Sequence, residues 1–153
     1  MSIAAPISPE TVIHVRDTCL CLHVQRAARS LARHFDEAFR PLGLTNGQFS
    51  LLMSLNRPSP PGMMELATFL AMDRTTLTAA LKPLERRGLV KVTPKPNDRR
   101  GRVLTITREG QDLLSCAIPI WKQAHGAVDR LVAEFGPDQL RGALDRLSAV
   151  GQE

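Results

Sequence analysis

DRTTLTAALKPLERRGLVKVTPKPNDRRGRVLTIT, residues 73–107, carries the net positive charge of a 153-residue chain. Between Asp73 and Arg102 stand nine basic residues, Arg74, Lys82, Arg86, Arg87, Lys91, Lys95, Arg99, Arg100 and Arg102, against the acids Asp73, Glu85 and Asp98. That segment carries +6, and since the whole chain carries only +5, everything outside it sums to −1. The isoelectric point near 9.7 is therefore local in origin. Concentrated basicity of this kind calls for a polyanionic partner, either nucleic acid or an anionic membrane surface.

Periodicity within the stretch separates these two. Asp73 is a good N-cap, and Leu77, Leu81 and Leu84 recur at helical spacing, so they form one buried stripe. The opposite face then carries Thr75, Thr78, Lys82 and Arg86. Threonine hydroxyls reach base edges or phosphates, and the threonine methyl suits the thymine methyl. Preceded by a short helix over Met63–Leu70, this is a helix-turn-helix with a recognition helix second. Pro83 predicts a bend near its C-terminal end. Gly88 reads as a C-cap, LVKVT alternates like a strand, PKPNDRRG forms a hairpin tip and RVLTIT returns. The strands carry Val90, Val92, Val103, Leu104 and Ile106. Arginine at such a tip suits the narrow minor groove of A·T-rich DNA. The predicted DNA contacts are Arg74, Thr75, Thr76, Thr78 and Lys82 on the helix, with Lys95, Arg99, Arg100 and Arg102 on the hairpin.

The remainder of the chain frames this module. At 43% hydrophobic residues it can build one core. No apolar run approaches the ~18 residues of a membrane span, and MSIAAPISPE lacks the regions of a signal peptide, so a cytoplasmic protein with no membrane partner is expected. Cys19, Cys21 and Cys116 fit free thiols rather than a secreted disulfide framework. From about Glu10 to Phe39, Leu20, Val24, Ala27, Leu31, Phe35 and Ala38 predict one long amphipathic helix. Thr45 and Gln48 form a capping box for a second helix, with Phe49, Leu52, Met53 and Leu55 inward. After NRPSPPG breaks the chain, the C-terminal third offers a long helix with Leu113, Leu114, Ala117, Trp121, Ala124, Val128, Leu131 and Phe135 on one face and a kink at Pro119. Beyond Gly136 and Pro137, Leu140, Leu144, Leu147 and Val150 line a last helix. So many apolar helix faces in a small chain predict a symmetric dimer.

LAMDRTTLTAALKPLERRGLV followed by NDRRGRVLTITREG resembles the recognition helix and wing of the MarR (multiple antibiotic resistance regulator) family, and RPLGLTNGQFSLLMSL is similar to its second helix. The wing signature is Asp98, Arg100, Ile106, Thr107 and Gly110. The resemblance implies a mainly α fold with a small β-hairpin wing: a winged helix-turn-helix core over 44–107, an N-terminal arm and first dimerisation helix over 1–40, and C-terminal dimerisation helices over 108–153. It implies a homodimeric regulator on a palindromic double-stranded DNA operator, commonly a repressor relieved by a small phenolic ligand or an oxidant. It also implies that Asp73 or Asp98 pairs with a wing arginine to hold the wing.

Catalysis is not expected. His14, His23, His34 and His125 are scattered, and no phosphate loop, nucleophile motif or cofactor-binding motif is present. In CLCLH, Cys19 and His23 share a helical face, but Cys21 lies about 200° from Cys19, so the three cannot hold one metal from a regular helix. The signal has two readings. Cys21 sits where the organic-hydroperoxide-sensing branch of the family places its reactive cysteine, yet that branch surrounds the sulfur with tyrosine hydroxyls and this chain has no tyrosine. The favoured reading is a small aromatic effector in a cleft lined by Phe49, Met53 and Trp121, with Cys21 as a wall residue. Outside these stand an architectural DNA binder and a protein-binding winged-helix module.

Overall fold

Leu77, Leu81 and Leu84 are all sealed from solvent, as their spacing requires, and the fold is assembled around them. The computed structural model describes residues 6–150; the first five residues of the N-terminal arm and the last three of the chain lie outside the described residues. Its elements are α1 (Pro9–Thr18), α2 (Leu20–Phe39), α3 (Asn46–Leu55), α4 (Met63–Phe69), α5 (Arg74–Arg86), β1 (Val90–Lys95), β2 (Asp98–Ile106), α6 (Arg108–Leu131) and α7 (Pro137–Ser148). The fold is mainly α with one antiparallel hairpin, a winged helix-turn-helix joined to long terminal helices.

Local chemistry sets the boundaries. The Thr45 hydroxyl accepts the Gln48 N–H at 3.2 Å while the Gln48 side chain accepts the Thr45 N–H at 3.1 Å, closing the capping box of α3. Met53 departs from its expected inward position and is 39% exposed, while Leu51 takes an inward one. Between α4 and α5 the chain turns through Ala71 at φ 51°, a left-handed conformation that costs a non-glycine residue roughly 1–2 kcal/mol. Asp73 caps α5 by accepting the Thr76 N–H at 2.8 Å. α5 continues past Pro83 to Arg86 and ends at Gly88, φ 70°. There the Leu89 N–H reaches the Leu84 carbonyl and the Gly88 N–H the Glu85 carbonyl, both at 2.9 Å, a Schellman closure.

Two boundaries differ from expectation. The single long first helix is two, broken at Cys19, whose ψ of 102° is extended. Just before the break the Thr18 hydroxyl donates to the His14 carbonyl at 2.7 Å, the back-bonding by which serine and threonine hydroxyls bend or weaken a helix. The hairpin tip is also tighter than PKPNDRRG suggested. Pro96 and Asn97 make the turn, with Asn97 at φ 65°, and Lys95 pairs with Asp98 while Pro94 pairs with Arg102. Arg99, Arg100 and Gly101 are therefore the unpaired residues of a bulge within β2.

The wing is tied to the body on both sides. Leu104 donates to the Pro61 carbonyl at 3.1 Å and Gly62 bridges to Val103, so the NRPSPPG segment contributes a third, short edge. At the other end the Thr107 hydroxyl donates to the Gly88 carbonyl at 2.7 Å and accepts the Gly110 N–H at 3.1 Å. A Cβ on Gly110 would stand 2.4 Å from the Leu89 carbonyl oxygen. Only glycine lets α6 start this close to the end of α5. Behind the wing, Phe35, Phe39, Phe49 and Trp121 form a ladder of stacked rings from α2 through α3 to α6, with successive centroids 6.2, 4.6 and 6.5 Å apart. Leu131 and Phe135, expected on the buried side of α6, are exposed; the helix ends at Leu131, and Phe135 follows in a 3₁₀ turn. Neither α1 nor α7 buries a single residue. Among the described residues no helix is long and apolar enough to cross a membrane.

Candidate nucleic-acid interface

α5 presents Arg74, Thr75, Thr76, Thr78 and Lys82 on its exposed surface, opposite the leucine stripe. Their side chains are not equally free. The Thr76 hydroxyl donates to Asp73 at 2.6 Å, and the Thr78 hydroxyl donates to the Arg74 carbonyl at 2.7 Å, leaving its lone pairs and methyl outward. Thr75, Arg74 and Lys82 have no side-chain partner among the described residues. They are the groups best able to donate to a ligand facing the helix.

On the wing, Lys95, Arg99 and Arg100 are exposed, with no side-chain acceptor among the described residues. Arg102 is half-buried and folds back, donating to the Arg99 carbonyl at 3.0 Å and the Gly101 carbonyl at 3.1 Å. It shapes the bulge that projects its neighbours. Arg87 is likewise occupied, donating to the Gly43 carbonyl at 2.7 Å and pinning the turn before α3. The charge run thus divides into structural and free cations, a division invisible in the sequence.

The expected pairing of Asp73 or Asp98 with a wing arginine is not formed among the described residues. Asp73 is spent on its helix: hydrogen bonds from the Thr76 hydroxyl and then the Thr76 N–H hold its carboxyl below the usual carboxylate range. Asp98 accepts the Arg100 N–H at 3.0 Å, bracing the wing through backbone rather than through charge. Between α4, α5 and the wing lies a cleft of about 360 Å³ lined by Glu65, Arg74, Lys95, Asp98, Arg100 and Arg102.

A second concavity, about 380 Å³, lies between α3, α4 and α6. Phe49, Met53 and Trp121 line it together, joined by Ser50, Ser54, Phe69, Leu70 and Ile118. Cys21 does not. It is exposed on α2, its sulfur accepting from the Gln25 amide at 3.1 Å. Cys21 shares a helical face with Phe35 and Phe39 but stands four to five turns before them, roughly 20–27 Å away along α2 at 1.5 Å per residue, so it does not reach the cavity. All three cysteines are free, and the His23 ring nitrogen lies 2.9 Å from the Cys19 carbonyl.

Sequence reasoning missed Arg57. Its guanidinium lies over the Phe69 ring, 5.5 Å from the centroid, donates to the Ser54 carbonyl at 2.8 Å and pairs with Glu65 at 2.5 Å. No local pattern announces the contacts with Phe69 and Glu65, because Arg57 sits in the NRPSPPG break and those two partners come from α4.

A helix-turn-helix whose second helix runs into a two-stranded wing defines a winged-helix protein. The sequence profile of the MarR family matches residues 44–101. The transcriptional activatory protein BadR of Rhodopseudomonas palustris is 34% identical over 95 residues, which cover 60% of this chain and 54% of BadR. The chain thus matches about half the length of that curated relative. The structure of the transcriptional regulator MosR of M. tuberculosis in complex with DNA superposes with a TM-score of 0.76 at 35% identity, covering 88% of this chain and 96% of that one. The transcriptional repressor CouR bound to p-coumaroyl-CoA superposes with a TM-score of 0.67 at 30% identity, covering 88% and 92%. The chain belongs to the MarR family.

Proposed function

We propose that this protein is a sequence-specific, double-stranded-DNA-binding transcription regulator that acts as a homodimeric repressor and leaves its operator when a small aromatic ligand binds. The single observation carrying the reading is the free cationic and hydroxyl face of α5 standing beside a wing whose Arg99 and Arg100 bulge outward. Thr75, Thr78 and Lys82 read base edges in the major groove; Lys95, Arg99 and Arg100 grip the neighbouring minor groove and phosphates. Its relatives support this: MosR binds DNA, and CouR is a named repressor with a DNA-bound form.

Residues 1–40 and 108–153 supply the dimer contacts, a reading supported by the exposed Val12, Ile13, Val15, Leu140, Leu144 and Leu147. The aromatic effector is supported by the convergence of Phe49, Met53, Phe69 and Trp121 on one cavity, and CouR binds a ligand with an aromatic acyl group. A peroxide-sensing role for Cys21 has less behind it, since the sulfur takes its hydrogen bond from the neutral Gln25 amide and the chain has no tyrosine. Footprinting on a duplex selected from a random pool tests the reading. Protection of an inverted repeat with half-site centres ~10 bp apart, or a multiple of that, is the expected result. Protection without symmetry counts against the homodimer.

A further inference from the structure

α2 passes into the winged core through a 3₁₀ turn, Arg40–Leu42, and the short segment from Gly43 to Asn46. A hydrogen bond crosses this joint from each side. From α2, the Asp36 carboxylate accepts the N–H of Asn46, the first residue of α3, at 2.6 Å. From the far end of α5, the Arg87 guanidinium donates to the Gly43 carbonyl at 2.7 Å, and a Cβ on Gly43 would meet its other terminal nitrogen at 3.9 Å. We propose that Asp36 and Arg87 are positioning residues: together they brace the joint between α2 and the winged core, and so set the half-site spacing that the two recognition helices of the dimer accept. The inference rests on the homodimer reading above and adds the residues that fix its DNA geometry.

Without these bonds the joint is built to bend. Gly43 sits at φ 61°, a left-handed conformation that glycine enters readily, and residues of this kind at the ends of elements are where hinges absorb rotation. Its backbone bonds are local, from the Gly43 N–H to the Arg40 carbonyl at 3.0 Å and from the Leu44 N–H to the Phe39 carbonyl at 3.4 Å. Phe39 stacks on Phe49 across the joint with centroids 4.6 Å apart, but apolar attraction is non-directional and leaves the angle between the helices open. The two crossing bonds are directional and charge-assisted, the stronger kind. The second link to the core is α6, which runs from the wing to Leu131 and meets α2 where the His34 ring lies 3.3 Å from the Ala124 carbonyl. With that strut in place, rotation of the core relative to α2 opens or closes the turn at Gly43 and strains both bonds. Each base pair inserted between half-sites carries one of them ~3.4 Å along the duplex and roughly 35° around it. A braced core keeps its angle and rejects such a site, whereas a loosened core can follow it. Asp36 and Arg87 are both exposed, so replacing them leaves the buried core in place.

The test is a spacing series. The selected operator is lengthened or shortened at its centre by one and by two base pairs and titrated, by fluorescence anisotropy, with the full-length parent, Asp36→Ala, Arg87→Met and Asp36→Asn. The last keeps an acceptor oxygen for the Asn46 N–H. One base pair of displacement is expected to cost the parent about tenfold, the scale of one mismatched pair in a specific site, and to cost Asp36→Ala and Arg87→Met less than about threefold. Asp36→Asn should follow the parent. At the native spacing the four proteins should bind nearly alike, and base preference, read with singly substituted operators, should be the parent's in all of them. Each bond has its own variant, so one that fails to fold leaves the other to decide. A loss in Asp36→Ala and Arg87→Met that is uniform at every spacing, with the parent's profile retained, overturns the brace and leaves the homodimer reading standing. A parent indifferent to spacing overturns the homodimer reading and the brace with it.

Discussion

α5 and α7 are built on the same device, leucines at helical spacing, and they end in opposite environments. Leu77, Leu81 and Leu84 are at most 1% exposed, whereas Leu140, Leu144 and Leu147 stay at 39–40%. Amphipathicity announces that a face will be covered; it does not say by what. For α5 the cover is supplied locally by α3, α4 and the wing strands. α7 is tied to α6 by the Arg141–Asp129 pair at 3.1 Å, and its leucine face looks toward α2 across an apolar groove of about 630 Å³ that contains Leu20, Val24 and Leu144. The core is complete within one chain, and in the homodimer proposed above a second copy would cover the terminal helices.

The sharpest break between the two regions should come from truncation. Leu81→Ala is expected to cost about 2–5 kcal/mol in denaturant unfolding, as buried leucine deletions do, while Leu144→Ala at the half-exposed site costs well under half of that at concentrations where subunits are separate. Equal losses would show that α7 is packed within the chain. Gly110→Ala should approach the same magnitude as Leu81→Ala through a different route, because its Cβ meets the Leu89 carbonyl at 2.4 Å and α6 must shift from the wing. Thermal melts of both variants measure this.

The terminal face should instead fail in assembly. With Leu144→Glu and Leu147→Glu combined, sedimentation is expected to give monomer while far-ultraviolet dichroism stays native, and operator binding is lost together with the dimer. A dimeric, fully binding double variant would remove α7 from the interface. Smaller again is the effect of Thr75→Ala, which should relax base preference at one position by ~1–3 kcal/mol while leaving random-duplex affinity alone. Competition with singly substituted operators reads it.

The smallest effect concerns the cap of α5. Asp73 has its carboxyl lowered by the Thr76 hydroxyl and N–H, so its contribution is fully present above pH ~4, the ordinary aspartate value, and fades as pH falls through the depressed folded value. Asp73→Asn, still a competent cap, should therefore flatten the loss of melting temperature between pH 5 and pH 2 while changing little at pH 7. An identical acid profile in the variant would detach Asp73 from the acid sensitivity of the core.

Much of this was legible in the residues themselves. The leucine stripe, the Asp73 cap, the capping box and the glycine after α5 are local patterns, and the wing follows from strand alternation after them. What escaped depends on distance in sequence. Arg57 meets Glu65 and Phe69, Arg87 meets Gly43, and Pro61 meets Leu104, all by tertiary contact. The bulge at Arg99 to Gly101 escaped for a subtler reason: turn residues Pro and Asn were visible, but the register that leaves three residues unpaired is set by the pairing of Pro94 with Arg102. Counting cations located the site, and only their partners separated the free Arg74, Arg99 and Arg100 from the engaged Arg87 and Arg102.

The most direct measurement is a salt series. The parent and Arg100→Ala are titrated with the selected operator and with a random duplex between about 50 and 200 mM salt, a range over which phosphate contacts reveal themselves as a linear log–log slope. The parent should prefer the operator by at least ~10³ and show a steep slope on both duplexes. Arg100→Ala should weaken both to a similar degree and reduce the slope by about one. A parent that binds both duplexes alike would be an architectural binder, one that binds neither would be a protein-binding module, and a slope untouched by Arg100→Ala would contradict the wing as a DNA-gripping element.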